Sequence, residues 1–533
     1  MKKIIGCMLF LLVLATALSG CKSESIEVSK GNNKDESEKP IEVEWFIAFD
    51  WYSKQWDDIN TALDKYITEQ TGVKFKITTG NEEKLSALIA GNQLPDMVTV
   101  AHSSPQRKML ENSGMLAPLD ELIKEYAPDY KIPQSMQEWF RNEDGHFYGY
   151  VNYFYPPEEL QAEDQLETHT AMYARADIMD QLGITKKDFE TKEGTITALK
   201  KVKDANIEYN GFTVMPAYFS TADISQFFGG GKREDEEGNL ITRPESDLEA
   251  ITFLNELYRE GLMPEEAVTL TEDQIGEKIS AGAIFAFTGH RVMTKTKALT
   301  ESDPHAKLTH IGPIKGDDFS GDWHILPNSL SGWTMTSINA NSPYKEEIVK
   351  FFEFMTSEEM SLNAWYGPKG ITWDYNQDGK VEYLPDVQKE VDEDYNKAEL
   401  KYGLGNFTWF VDILPVTRTM PEPTNPFDEY STEGPEYFNE FTYDALALEG
   451  AIVEGGTPES AIKAKVDDYT EKMTAEMILA ESEEEAEKLY EELIKNQDNL
   501  GFKELYDYRN KKFKEAKERL GVEYIWPEYL DEK

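Results

Sequence analysis

The chain has 533 residues, 100 of them acidic and 54 basic, giving a formal net charge of −46. Such a surface repels phosphate backbones, so nucleic acid is excluded as an expected partner; the acidity otherwise bears on solubility and not on fold. An aromatic content of 12%, with 10 Trp and 27 Tyr, excludes a disordered chain, and the length suits roughly three domain-sized units.

The first predicted element is a targeting segment. Met1-Lys2-Lys3 is positive, Ile4 to Leu18 is nearly all apolar, and Leu18-Ser19-Gly20-Cys21 closes the run with small residues and a cysteine. This is the layout of a secretory signal, and the run is shorter than the roughly 20 apolar residues of a spanning helix. Leu18-Ser19-Gly20-Cys21 resembles a bacterial lipobox, which implies acylation of Cys21, palmitate included, as the mature N-terminus. An ordinary secretory signal containing a cysteine is the alternative. Cys7 falls in the discarded part, so no thiol would remain for a disulfide, a thiolate metal site or a nucleophile. Residues 22–40 are polar and charged without an apolar face and read as a flexible tether. No later stretch is long and apolar enough to span a bilayer, so the expected location is the extracellular face of the cell membrane, lipid-anchored through Cys21.

Strands and helices then alternate. Ile41 to Phe49 alternates like a strand; Ile59, Leu63, Tyr66 and Ile67 recur at helical spacing before Gly72; Val73 to Ile77 is a second strand. Leu85, Leu88 and Ile89 mark another helix, and Asp96 to Ala101 a third strand. This βαβαβ order predicts a parallel sheet, with candidate ligand loops beyond the strand ends after Phe49 and Ala101. Phe147 to Tyr155 reads as an aromatic crossover strand, Ala283 to Phe287 and Trp333 to Ile338 as further strands. Ser342 and Pro343 predict a helix start, with Ile348, Phe351, Phe352 and Met355 on one face, and Thr356-Ser357-Glu358-Glu359 has capping-box spacing for the next. Ala486 to Ile494 and Phe502 to Leu520 predict two amphipathic helices near the end.

Several segments, in this order, resemble the extracellular solute-binding proteins of bacterial ABC importers, family 1, in particular the carbohydrate-binding group that includes LipO-like lipoproteins. They are Ile89-Ala90-Gly91-Asn92-Gln93-Leu94-Pro95-Asp96, Leu116-Ala117-Pro118-Leu119-Asp120, and Asp144-Gly145-His146-Phe147-Tyr148-Gly149. Arg175-Ala176-Asp177 with Leu182-Gly183, and Trp365-Tyr366-Gly367-Pro368-Lys369-Gly370 with Trp373, continue the series. The resemblance implies an α/β, two-lobed periplasmic-binding-protein-like fold of type II, its discontinuous lobes joined by hinge strands, with extra C-terminal helices. The expected organisation is a signal peptide at 1–20 and a tether at 21–40. An N-terminal lobe would comprise 41–150 plus about 291–345, and a second lobe 151–290 plus about 346–480. Helices at 481–533 would pack on the lobes. Function is then expected to be capture of a carbohydrate, an oligosaccharide above all, in an interlobe cleft that closes by a hinge motion. The implied partners are the sugar and ABC permease subunits, with the protein a monomer. The chain carries no Walker-type phosphate loop, so ATP hydrolysis would fall to a separate subunit.

A sugar site needs flat aromatic platforms and fixed donors and acceptors. Trp51 and Trp56 in the loop after the first strand fit this, with packing beneath the next helix as the alternative. His102 and Ser103 follow the third strand; Asn152, Tyr153 and Tyr155 lie at the crossover, where hinge or core packing competes; Trp323, Trp333 and Trp409 complete the ligand-binding candidates. Arg175 and Asp177 are expected to pair structurally. Asp374, Asn376, Asp378 and Lys380, with Glu382, resemble the first part of an EF-hand calcium loop, but Pro385 stands where a bidentate Glu belongs. Gln377-Asp378-Gly379 is equally the turn of a β-hairpin. No cofactor is otherwise expected, only this candidate structural calcium. The rival readings are a surface-anchored glycoside hydrolase, an adhesion lipoprotein, or the same fold binding a peptide or another polar nutrient. No Gly-x-Ser-x-Gly or His-Glu-x-x-His motif supports catalysis, so the chain is expected not to be an enzyme.

Overall fold

Among the described residues, strand patterning builds two large sheets and two short hairpins. The computed structural model describes residues 39–52, 61–161, 163–229, 231–317, 319, 321–453 and 457–530. The expected signal peptide, Cys21 and Trp56 lie outside the described residues. In chain order the strands are β1 (Ile41–Ile47), β2 (Val73–Thr79), β3 (Met97–Ala101), β4 (Gly149–Val151), β5 (Met172–Arg175), β6 (Glu208–Tyr209) and β7 (Phe212–Thr213). They continue with β8 (Met215–Tyr218), β9 (Ile284–Thr288), β10 (Leu308–His310), β11 (Thr334–Ile338), β12 (Trp373–Tyr375) and β13 (Val381–Tyr383).

The first sheet has the order β2-β1-β3-β11-β4. β1 runs parallel to β2 and β3, as the βαβαβ pattern predicts, with Trp45 opposite Ile77 and Met97. The helix Ala62–Thr71 between β1 and β2 starts at a Thr61/Asp64 capping box and stops at Gly72, whose φ of 70° is the left-handed geometry that ends helices. β11 enters antiparallel between β3 and β4. The buried Trp45 indole donates to Thr99 Oγ1 at 2.9 Å, and that hydroxyl lies 2.8 Å from Thr336 Oγ1, tying β1, β3 and β11 together. The second sheet, β10-β5-β9-β8, is antiparallel except for the β8–β9 pair. Its core gathers Phe189, Phe227, Phe285 and Phe287.

The lobe boundaries differ from the sequence expectation. Of 291–345, Met293, Leu308, Ile311, Ile314 and Ile325 lie in the second core, and β11 alone is a strand of the first sheet. Of 346–480, residues from Ile348 to Val416 supply the first core, while Tyr430, Phe438 and Ile478 join the second. The cause is the apolar face of the helix Lys345–Met355: Phe351 packs on Phe75 of β2 with ring centroids 4.8 Å apart. Full burial of each such ring is worth roughly 1.5–3 kcal/mol. Ser342 does not cap this helix; its hydroxyl donates to Asp96 Oδ1 at 2.8 Å, and Tyr344 takes the cap position. The capping-box start also moves by one residue, to Ser357, which accepts from the Met360 N–H.

The helices Glu483–Asn499 and Phe502–Leu520 form as predicted, preceded by the helix Pro458–Ile478. Met473, Met477 and Leu493 pack on Ile251 of the helix Ser246–Arg259. Glu234, fully buried, pairs with Lys517 at 2.5 Å and accepts the N–H groups of Ile525 and Trp526, which fixes the end of the described chain. The Arg175–Asp177 pair is structural: bonds of 2.8 and 2.6 Å join them, and the guanidinium is 1% exposed. Among the described residues no helix is long and apolar enough to cross a membrane.

Candidate functional site

The carboxyl ends of the first sheet converge on a cluster of aromatic rings. β1 delivers Phe49, Trp51 and Tyr52; Trp333 immediately precedes β11; Tyr153 follows β4; Trp409 sits in a 3-10 turn, Thr408–Phe410. Trp51 stacks on Trp333 with centroids 6.1 Å apart and planes 13° apart. Trp409 lies beneath, stacked on Trp333 at 5.5 Å and on Phe49 at 5.7 Å, with Tyr52 edge-on at 5.0 Å. Tyr153 reaches Trp333 at 6.3 Å. The layers differ in exposure: Trp51 is 60% exposed, Trp333 and Tyr153 half-buried, and Trp409 1% exposed. Trp409 is therefore a buried support and not the exposed platform that its irregular sequence context suggests. A stacked indole presented to solvent offers the flat apolar face that a sugar ring or another planar group packs against.

The polar candidates around this cluster hold it in place. Asn152 is fully buried; its Oδ1 accepts from the Thr334 N–H at 2.8 Å and hydroxyl at 3.0 Å, and its Nδ2 donates to the Thr408 carbonyl at 2.7 Å. It thus joins the segments carrying Trp333 and Trp409 from a fully buried position. His102, 8% exposed, has Nε2 2.9 Å from the Gly332 carbonyl, and its backbone N–H donates to the Trp333 carbonyl at 3.0 Å. Burial, helped by the Arg107 charge, lowers its pKa to about 4, so it is a neutral positioning group. Gly332 adopts φ 93°, and a Cβ there would come within 2.4 Å of the Asn152 carbonyl oxygen, so only glycine lets these segments approach. The Glu449 carboxylate accepts the N–H groups of Leu330 and Ser331 and the hydroxyls of Ser329 and Ser331, clamping the approach to Trp333. Tyr153 itself adopts φ 56°, a left-handed conformation uncommon for a bulky side chain and concentrated at functional sites.

A polar cavity of about 650 Å³ lies among elements of both cores. Thr417 and Arg418 come from the end of the helix Ile413–Arg418 on the first-core side; Thr168, His169 and His290 come from the second. His290 follows the carboxyl end of β9 and lies parallel to His169, centroids 6.2 Å apart. Burial lowers the His290 pKa to about 4. Asp164 pairs with Arg418 through bonds of 2.8 and 2.5 Å, which keeps the Asp164 carboxyl below its ordinary range. Glu167, also lining the cavity, is pushed up by burial, and its charge is felt by Tyr153 at the edge of the aromatic cluster.

Other candidates separate from this site. Tyr155 is 4% exposed within the first core, which makes it a packing residue. Trp323 is not brought to the cluster; its indole donates to the Phe227 carbonyl at 3.1 Å and stacks on Phe319 at 5.5 Å. Ser103 is exposed at the tip of the loop after β3. The EF-hand-like segment forms the expected hairpin of β12 and β13, with Asp374 opposite Glu382. Asn376 Oδ1 accepts the N–H groups of Asp378 and Lys380 at 3.0 and 2.9 Å, and Gly379 takes φ 76°. Asp374, Asp378 and Glu382 are exposed and do not bring their carboxylates within 4.8 Å of one another; among the described residues Asp120, Glu121 and His146 do.

Phe49, Glu167, His169 and His290 escaped the sequence reading. His290 was detectable: Gly289-His290 ends a clear buried strand, the same signal that singled out the loops after Phe49 and Ala101. Glu167 carries no such mark in an acid-rich chain.

Solved structures share the fold at low identity. They include the alginate-binding protein AlgQ2 without calcium ion (17% identity, TM-score 0.62, covering 90% of this chain and 99% of that one). An extracellular solute-binding protein of Bifidobacterium longum subsp. infantis matches with 14% identity and TM-score 0.63, covering 89% and 98%. The S. pneumoniae ABC-transporter substrate binding protein FusA, in complex with kestose, matches with 14% identity and TM-score 0.62, covering 90% and 99%. A Niallia circulans protein described only as an uncharacterized protein in the butB 5' region is 33% identical over 158 residues, 29% of this chain; the chain spans 59% of that curated relative's length. The family model described as bacterial extracellular solute-binding protein matches residues 54–361. With a two-lobed α/β fold and more than half its length matched, the chain belongs to the bacterial extracellular solute-binding protein family.

Proposed function

We propose that this protein captures an oligosaccharide between its lobes and delivers it to the permease of an ABC importer, held at the outer face of the membrane by lipid on Cys21. The observation that carries the reading is the stacked Trp51–Trp333 pair at the strand ends, with Trp51 60% exposed, beside which the fold holds a separate polar cavity of about 650 Å³ among elements of both cores. Trp51, Trp333 and Tyr153 would face sugar rings, with Ser103 in the loop after β3 and Trp56, outside the described residues, as further candidates. His102, Asn152 and Trp409 would keep that surface rigid. Two structural neighbours support the ligand class by their descriptions: FusA in complex with kestose, and the S. pneumoniae N-glycan transport solute binding protein NgtS (TM-score 0.52). The protein would act by binding and not by turnover. Mass spectrometry of ligand co-purified with the protein, followed by calorimetry with that compound, tests this. Recovery of an intact oligosaccharide whose binding quenches tryptophan fluorescence is expected. Recovery of a peptide, or cleavage of the added saccharide by pure protein, would refute the reading.

A calcium ion at the β12–β13 turn is a second, separable element. Oxygen side chains at Asp374, Asn376 and Asp378 followed by a positive-φ Gly379 suit a hard cation, and one neighbour is described as an EF-hand mutant of FusA. The Lys380 carbonyl and Glu382 would be the remaining ligands, and the exposed carboxylates would have to turn inward to converge. Terbium luminescence sensitised by Trp373 and Tyr375 is the check. Signal that calcium displaces and that Asp378→Ala abolishes is expected; no sensitised emission removes the ion.

A further inference from the structure

The polar cavity is lined mainly by acidic side chains. Among the described residues, Glu163, Asp164, Glu167, Glu436 and Glu440 line it, against the cations Lys380 and Arg418. Both cations are engaged. Arg418 holds Asp164 in a two-bond pair and donates to the Glu159 carbonyl at 2.9 Å, and Lys380 Nζ donates to the Arg418 carbonyl at 3.3 Å. His290, neutral in its buried position, adds no charge. Among the described residues, Glu163, Glu167, Glu436 and Glu440 make no ion pair, so the Asp164–Arg418 pair leaves four carboxylates facing one lysine. Glu167 is largely buried, borders the cavity and has no hydrogen-bond partner for its carboxylate among the described residues. A carboxylate so placed accepts from a hydroxyl or ammonium and repels an anion.

Resting on the oligosaccharide reading above, we propose that the cleft selects uncharged or amine-bearing saccharides and rejects those carrying carboxylate or sulfate, with Glu167 as a specificity-determining residue. The repulsion acts across a partly solvated cavity, where it persists at moderate salt and fades as ionic strength rises. An ammonium group gains from the same field, and a neutral sugar is unaffected by it while its hydroxyls still donate to Glu167.

The test is a matched panel: N-acetylated and N-deacetylated chito-oligosaccharides, and gluco-oligosaccharides beside their C6-oxidised uronates, titrated by calorimetry and tryptophan quenching. On any backbone that binds, the carboxylate-bearing form should bind at least about tenfold more weakly than its neutral or amine partner. The gap should shrink at high ionic strength. Glu436→Lys, an exposed change that leaves folding intact, should narrow it severalfold, as should Glu167→Gln if that variant keeps the wild-type melting temperature. Equal or tighter binding of the carboxylate form, or a gap unmoved by Glu436→Lys, overturns the charge sorting while leaving sugar capture standing. Failure of every panel member to quench tryptophan overturns both.

Discussion

Two indoles in the same cluster should respond oppositely to truncation. Trp409 is 1% exposed and touches Phe49, Tyr52 and Trp333 at centroid separations of 5.7, 5.0 and 5.5 Å, so Trp409→Ala opens a cavity under the whole cluster. Large-to-small changes of this kind cost about 3–5 kcal/mol, a large part of a total stability of about 5–15 kcal/mol. Trp51 is 60% exposed and rests on Trp333 by one face, so Trp51→Ala should change stability by less than about 1 kcal/mol. In binding the order reverses in kind: Trp51→Ala removes the exposed platform alone and should weaken saccharide affinity about tenfold or more, with melting unchanged. Urea unfolding at constant m, paired with calorimetry, measures both quantities on each variant. The layered reading is wrong if Trp51→Ala destabilises by more than about 2 kcal/mol, or if Trp409→Ala unfolds at the wild-type urea midpoint.

Asn152→Ala strands the Thr334 N–H in a buried site and removes one of the bonds to the Thr408 carbonyl, and should cost about 2–4 kcal/mol by urea denaturation; a cost under about 1 kcal/mol would deny it the positioning role. Glu449→Ala releases the N–H groups of Leu330 and Ser331, and hydrogen exchange at those two amides should accelerate sharply relative to β11. For His102 the folded pKa of about 4 lies below the ordinary 6.5, so its contribution is fully present above pH 6.5 and is lost as pH falls through 4. His102→Gln should therefore gain on the wild type by up to about 3 kcal/mol across that interval. Asp412, raised by burial from 3.8 to about 6, has the opposite sign: its contribution is complete below pH 3.8 and lost as pH rises through 6. Asp412→Asn should thus gain on the wild type as pH rises, and urea midpoints from pH 4 to 7.5 read both.

The parallel β2-β1-β3 core was legible because Val43 and Trp45 alternate with Glu42 and Glu44 and Gly72 punctuates the connecting helix. The ownership of the helix Lys345–Met355 was not, since an apolar stripe satisfies either sheet and only contact with Phe75 decides. The positions of Trp51 and Trp333 at strand ends were readable, since both adjoin clear strand patterns. Trp409 was misjudged because Gly403 to Asn406 suggests an open loop, while the 3-10 turn that follows folds the indole inward. Asn152 shows the same limit from the polar side: a buried amide that joins distant segments has the same local sequence as one that greets a ligand.

The placement of β11 carries a consequence for biogenesis. β3 and β4 are not neighbours in the first sheet; each pairs with β11, whose residues Thr334–Ile338 are made only after the entire second sheet has been synthesised. Until then β3 has an unsatisfied edge, and so has β4, a ready template for mispairing. The N-terminal half of the polypeptide therefore cannot mature on its own as it emerges, and the slow, long-range closure that seats β11 is where a holding chaperone would have most effect on yield.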